Sequence, residues 1–115
     1  MHELSIADSV LQTVRAEADR RPGAVPVKIG LRIGELAGVD PGALTFGFQA
    51  LTAGTAWEGI AVDIETVPRR HRCPSCATEF PVVDYACDCP ACGATRTSCI
   101  AGDELELAYI ELEEP

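Results

Sequence analysis

Cys73-Pro74-Ser75-Cys76 and Cys89-Pro90-Ala91-Cys92-Gly93 stand twelve residues apart in the second half of the chain. Each Cys-Pro-x-Cys is a tight turn that aims two sulfurs at one point. Two such pairs at this distance predict a four-thiolate tetrahedral metal site made by Cys73, Cys76, Cys89 and Cys92. Gly93 can take the left-handed conformation that closes the second turn. Zn(II) is the expected ion, because it is redox-inert and accepts four thiolates; iron in a rubredoxin-like site is the main competitor. The stretch 68–98 holds five of the six cysteines and few large aliphatic residues. It cannot build a core of its own size, so a metal staple is needed. A closed four-thiolate site is structural rather than catalytic. Cys87 stands two residues before Cys89, which leaves a ligand swap between them open, with a free thiol near the site as the simpler reading. Cys99 is expected to be a small buried residue.

The flanks of this module read differently. Over residues 4–20, Ala7, Val10, Leu11, Val14 and Ala18 recur at helical spacing, with Ser5 and Asp8 as a capping box and Pro22-Gly23 as the stop. Residues 26–36 alternate, with Val27, Ile29, Leu31 and Ile33 on one face of a half-buried strand. Asp40-Pro41 starts a second helix, with a carboxylate at the N-cap and proline in the first turn. Leu44, Phe48 and Leu51 form its buried stripe, and Gly54 ends it. A second strand covers 60–67, with Val62 and Ile64 inward. A third begins near Glu104, and its apolar phase slips at Ile110. The expected fold is α+β: a small three-stranded sheet with two helices, in the order αβαβ, then an inserted zinc-ribbon-like domain with four cysteine ligands, then β. The domains are expected at 1–67 plus 99–115 and at 68–98. The direction of the last strand is not readable from the sequence.

The composition narrows the function. The 115 residues carry a formal net charge of −9, and four thiolates on a divalent ion would add about two negative units. This charge disfavours nucleic acid as a partner. No apolar run approaches a membrane span, and the first 25 residues carry acids and bases throughout, unlike a signal peptide. A reducing cytoplasmic setting is expected, where cysteines serve metals more often than disulfides. Arg69, Arg70 and Arg72 form the one basic cluster, read as a solvated hinge or a docking patch for an acidic partner. His71 is read as a solvated hinge histidine, or else as a pH- or metal-sensitive link between sites. No nucleophile–base pair or phosphate-binding glycine loop is visible, so an enzyme is the least supported class. A zinc-ribbon interaction or nucleic-acid-binding module is the alternative function.

The chain begins Met1-His2-Glu3. The α-amine, the backbone nitrogens of His2 and Glu3 and the His2 imidazole could surround one ion. Such nitrogen ligation suits square-planar Ni(II) or Cu(II).

Met1-His2-Glu3-Leu4-Ser5-Ile6, Ile33-Gly34-Glu35-Leu36, Val39-Asp40-Pro41, both Cys-Pro-x-Cys knuckles and Gly102-Asp103-Glu104-Leu105 occur in one order along essentially the whole chain. In these blocks the chain resembles the HypA/HybF family of nickel metallochaperones for [NiFe]-hydrogenase maturation. The resemblance implies a transferable Ni(II) cargo at the N-terminus, held by His2 and nearby backbone nitrogens. Met1 would supply its amine and Glu3 its backbone nitrogen, with Asp40 as a neighbour or ligand. It implies structural Zn(II) on Cys73, Cys76, Cys89 and Cys92. It also implies a HypB-type GTPase partner, delivery to the [NiFe]-hydrogenase large subunit, service to urease and its accessory proteins in some members, and no catalysis. Cys87 and Cys99 are additional to the family's four-ligand pattern.

Overall fold

The computed structural model describes residues 3–114. The elements run α1 (Glu3–Ala18), β1 (Val25–Gly34), a 3-10 turn (Glu35–Ala37), α2 (Pro41–Thr52), β2 (Ala61–Val67), β3 (Arg70–Arg72), β4 (Glu79–Pro81), β5 (Ser98–Ala101) and β6 (Leu105–Glu113). Two three-stranded sheets form, ordered β2-β1-β6 and β4-β3-β5. The α+β class and the first sheet follow the expectation. The second sheet has no counterpart in the sequence pattern, because its three- and four-residue strands are too short to show a period.

The chain divides into two compact units. The first comprises Met1–Arg32, Val39–Glu65 and Glu106–Pro115, and the second comprises Ile33–Gly38 and Thr66–Leu105. These borders differ from a cut at 68 and 98. Two backbone bonds draw the 3-10 segment toward the end of the inserted module: Gly34 N–H to Glu104 O, 2.7 Å, and Leu36 N–H to Gly102 O, 2.7 Å. A side chain on Gly34 would collide with the Gly102 backbone, which accounts for a glycine that the strand pattern left unexplained.

In the first unit, α1 buries Ile6, Ala7, Val14 and Ala18. It starts at Glu3, so Ser5 lies inside the helix rather than at its cap. α2 buries Leu44, Gly47, Phe48 and Thr52. A Cβ on Gly47 would meet Ala7 Cβ at 3.5 Å and the Glu3 carbonyl at 3.6 Å, so this glycine marks the close approach of the two helices. Ile29 and Leu31 of β1 complete this unit's core. Burying a side chain the size of Phe48 contributes about 1.5–3 kcal/mol.

β6 runs antiparallel to β1. Gly30 leaves room for the Tyr109 ring, and Arg32 pairs with Glu106 at 3.0 Å, so residue numbers fall along one strand as they rise along the other. The exposed side of this sheet is a ladder of charge. Arg32 also reaches Glu65 at 2.9 Å, and Tyr109 Oη donates to Asp63 at 2.8 Å.

In the second unit β3 pairs antiparallel with both neighbours. His71 lies opposite Phe80 of β4 and opposite Cys99 of β5, with a bulge between Arg70 and His71. The buried cluster is Cys73, Phe80, Val82 and Cys89. Two of these four side chains are thiols.

Candidate metal centre

The two knuckles have the same backbone wiring. Cys73 N–H donates to Thr78 O and Ala77 N–H donates back to Cys73 O, at 2.9 and 2.8 Å. Cys89 N–H donates to Ala94 O and Gly93 N–H donates back to Cys89 O, at 3.0 and 2.9 Å. The fourth residue after each leading cysteine is left-handed: Ala77 at φ 63° and Gly93 at φ 77°. Glycine takes this conformation freely, whereas alanine is strained in it by about 1–2 kcal/mol. Superposing the two knuckles in sequence would have shown that Ala77 must match Gly93.

These turns bring the Cys73, Cys76, Cys89 and Cys92 sulfurs within 4.8 Å of one another. Cys73 and Cys92 stand 3.5 Å apart, and Cys76 and Cys89 stand 3.6 Å apart. A Zn–S bond of about 2.3 Å places sulfurs about 3.8 Å apart across a tetrahedron, so the donor set fits that ion in type, number and spacing. Cys73 and Cys89 are buried, while Cys76 and Cys92 are exposed. No other such group of three or more His, Cys, Asp or Glu side chains occurs among the described residues.

The thiols divide their protons unevenly. The Thr78 hydroxyl, 3.2 Å from Cys76 Sγ, together with the Thr78 backbone N–H, holds the Cys76 thiol down to about 6. The Ala94 N–H favours ionised Cys92, but Cys73, Cys89, burial and Cys76 outweigh it and push the Cys92 thiol up to about 12. Thiols this close resist sharing several negative charges until a cation joins them.

Three neighbours depart from their expected places. His71 is buried, not solvated: Arg69 Nε donates to its Nε2 at 3.2 Å, and its Nδ1 lies 2.8 Å from Thr97 Oγ1. Burial, with the Arg69 charge beside it, lowers the His71 pKa. Arg69 is half-buried and hydrogen-bonded, so it does not belong to a solvated cluster. Cys99 is exposed on the short strand β5, where its Sγ donates to Ala101 O at 3.3 Å. Cys87 is half-buried and outside the four-thiol group.

The second predicted site is represented by two of its four residues. Met1 and His2 lie outside the described residues. Glu3 and Asp40 are brought together, since Asp40 N–H donates to Glu3 Oε1 at 3.3 Å. Asp40 caps α2 through Oδ1, which accepts from Gly42 N–H at 2.9 Å and Ala43 N–H at 3.4 Å. The structure therefore bears out the cap and joins the cap residue to the start of α1.

A small α+β chain that gathers four cysteine sulfurs at one point belongs to the class of metal-binding proteins. The family model described as "Hydrogenase/urease nickel incorporation, metallochaperone, hypA" matches residues 1–112. The chain belongs to the HypA family, whose members are metallochaperones and maturation factors rather than enzymes. It is 44% identical over 113 residues to the hydrogenase maturation factor HypA of Geobacter sulfurreducens, covering 98% of this chain and 100% of that one. The HypA of Acidithiobacillus ferrooxidans is 40% identical over 114 residues, with the same coverage. The solution structure of the Ni metallochaperone HypA from Helicobacter pylori shares the fold, with a TM-score of 0.66 at 21% identity over 100% of both chains. A second HypA solution structure gives 0.73, also at 21% identity, over 100% of this chain and 98% of that one.

Proposed function

We propose that the protein carries Ni(II) as cargo on its N-terminal arm and holds Zn(II) as a fixed part of its second unit. The observation that carries this reading is the family match over residues 1–112, joined to a four-cysteine centre that is already complete. With the strong thiolate set committed to one ion, a transferable ion needs ligands elsewhere. The Met1 amine, the His2 ring and backbone nitrogen and the Glu3 backbone nitrogen supply a planar nitrogen set. The Glu3 carboxylate is engaged with Asp40, which supports a backbone rather than carboxylate role for Glu3. That contact runs from the Asp40 backbone to the first turn of α1, which supports Asp40 as a neighbour of the arm.

An open site on a terminal arm takes up an ion and gives it to a partner without unfolding the rest. Delivery goes to the [NiFe]-hydrogenase large subunit with a HypB-type GTPase, in the cytoplasm, where thiols stay reduced. The urease system is the second client class. The nitrogens must lose protons to bind nickel, so affinity falls as pH falls. Calorimetric titration of tag-free protein tests the assignment. His2→Ala should abolish stoichiometric nickel uptake and leave the zinc content at its wild-type value. Unchanged nickel affinity in that variant would remove the N-terminal site.

A further inference from the structure

Cys87 poses a selection problem for the metal centre. Cys87-x4-Cys92 lies within the spacing that zinc ligands use, as does Cys89-x2-Cys92. Cys87 packs against the buried cluster that contains Cys73 and Cys89. Distance along the chain therefore does not choose between the two thiols.

A closed ring of hydrogen bonds inside the second unit does. Arg69 Nε donates to His71 Nε2 at 3.2 Å, which leaves Nδ1 as the protonated ring nitrogen. Nδ1–H then donates to Thr97 Oγ1 at 2.8 Å, and the Thr97 hydroxyl donates to the Cys87 carbonyl at 2.6 Å. The ring closes where Arg69 Nη2 donates to Cys87 Sγ at 3.3 Å. Every donor direction is consistent with the next. The sulfur of Cys87 is thus tied to the Arg69 guanidinium and its backbone to Thr97.

We propose that Arg69, His71 and Thr97 are positioning residues that hold the Cys87 sulfur away from the metal and so select Cys89 as the fourth ligand. The inference rests on the four-thiolate reading of the centre. Without the ring, Cys87 would compete with Cys89 for the fourth position on a bound zinc ion, and whichever sulfur was left free would carry the thiol proton.

The test is limited alkylation of the full-length zinc-loaded protein with iodoacetamide, read by peptide mass. In the wild type, Cys87 and Cys99 are labelled and Cys89 is protected. In Arg69→Ala, Cys89 labelling rises to within about twofold of Cys87 labelling, because the two thiols now share one metal position. Thr97→Val, which frees the Cys87 carbonyl and the His71 Nδ1–H but leaves the Arg69 bond to the Cys87 sulfur, shows a smaller rise. Zinc stays at wild-type stoichiometry in both variants. Adding Cys87→Ser to Arg69→Ala restores protection of Cys89, since no competing thiol remains. Continued protection of Cys89 in both single variants overturns the proposal. So does labelling that persists in the double variant, which would mean a loosened site, or loss of zinc from both single variants, which would mean a purely structural ring. Wild-type Cys89 reacting as fast as Cys99 would instead refute the four-thiolate centre itself.

Discussion

The two units solve the burial problem with different materials. The first hides Val14, Ile29, Leu44 and Phe48 almost completely, and its helices and strands are long enough to present continuous apolar faces. The second hides Ile33, Val67, Phe80 and Val82 alongside two thiols, and its own sheet has strands of only three or four residues. Four apolar side chains and short ladders do not offset the ordering of roughly forty residues at about 1–2 kcal/mol each for backbone alone. The second unit therefore needs the metal as a structural element, whereas the first needs packing.

The largest effect expected from this contrast is confined to the second unit. Cys73→Ala, or a strong chelator, should release the metal and unfold residues 66–105. Structural zinc commonly supplies about 10–16 kcal/mol of folding free energy. Helical circular dichroism from α1 and α2 should persist while amide protection in β3, β4 and β5 is lost. Retained zinc with intact protection in Cys73→Ala would break the contrast.

Phe48→Ala is the converse experiment. It should cost about 3–5 kcal/mol in the first unit, because a fully buried aromatic leaves a cavity. Urea unfolding followed by helical signal should shift strongly, with zinc still bound at low denaturant. Concerted loss of zinc at the same urea concentration would show that the units are not independent in this sense.

A smaller effect compares the two knuckles with each other. Gly93→Ala should weaken the second by about 1 kcal/mol, giving it the strain that Ala77 already bears in the first. Ala77→Gly should relieve that strain and slow zinc release to a chelator. Equal release rates in wild type and Gly93→Ala would remove the strain argument.

The smallest effect belongs to the exposed sheet face of the first unit. The Asp63 carboxylate accepting from Tyr109 raises the tyrosine pKa, with burial and the Asp63 charge adding to the shift and Lys28 opposing it. A raised folded pKa means that this stabilisation is complete below about 10, the usual tyrosine value, and is lost as pH climbs through the raised one. The difference in tyrosinate absorbance between wild type and Tyr109→Phe should therefore develop above about pH 10. A difference curve centred at the ordinary value would contradict the hydrogen bond.

Much of this was legible in the residues. The helix over Pro41–Thr52 followed from Asp40, Pro41 and the Leu44–Phe48 stripe, because capping and burial are local rules. The gathering of the Cys73, Cys76, Cys89 and Cys92 sulfurs was legible in the two Cys-Pro-x-Cys turns, because each turn aims its own pair, whereas the place of Cys87 was not. The second sheet was hidden, since strands this short carry no readable period and are held by non-local partners. His71, Arg69 and Cys99 were misplaced for a related reason. Whether a polar residue beside a metal site faces water depends on partners such as Thr97 and Cys87, 26 and 18 residues away. The slip expected at Ile110 corresponds to half-buried Leu107 and Ile110 three residues apart, yet β6 continues to Glu113.

In the proposed function one chain holds two ions by two unrelated ligand sets. Native mass spectrometry of tag-free protein, with metal analysis before and after nickel addition, tests it directly. One zinc per chain is expected before addition, one further nickel after it, and loss of the nickel alone in His2→Ala. Nickel displacing the zinc, or binding His2→Ala as it binds the wild type, would contradict it.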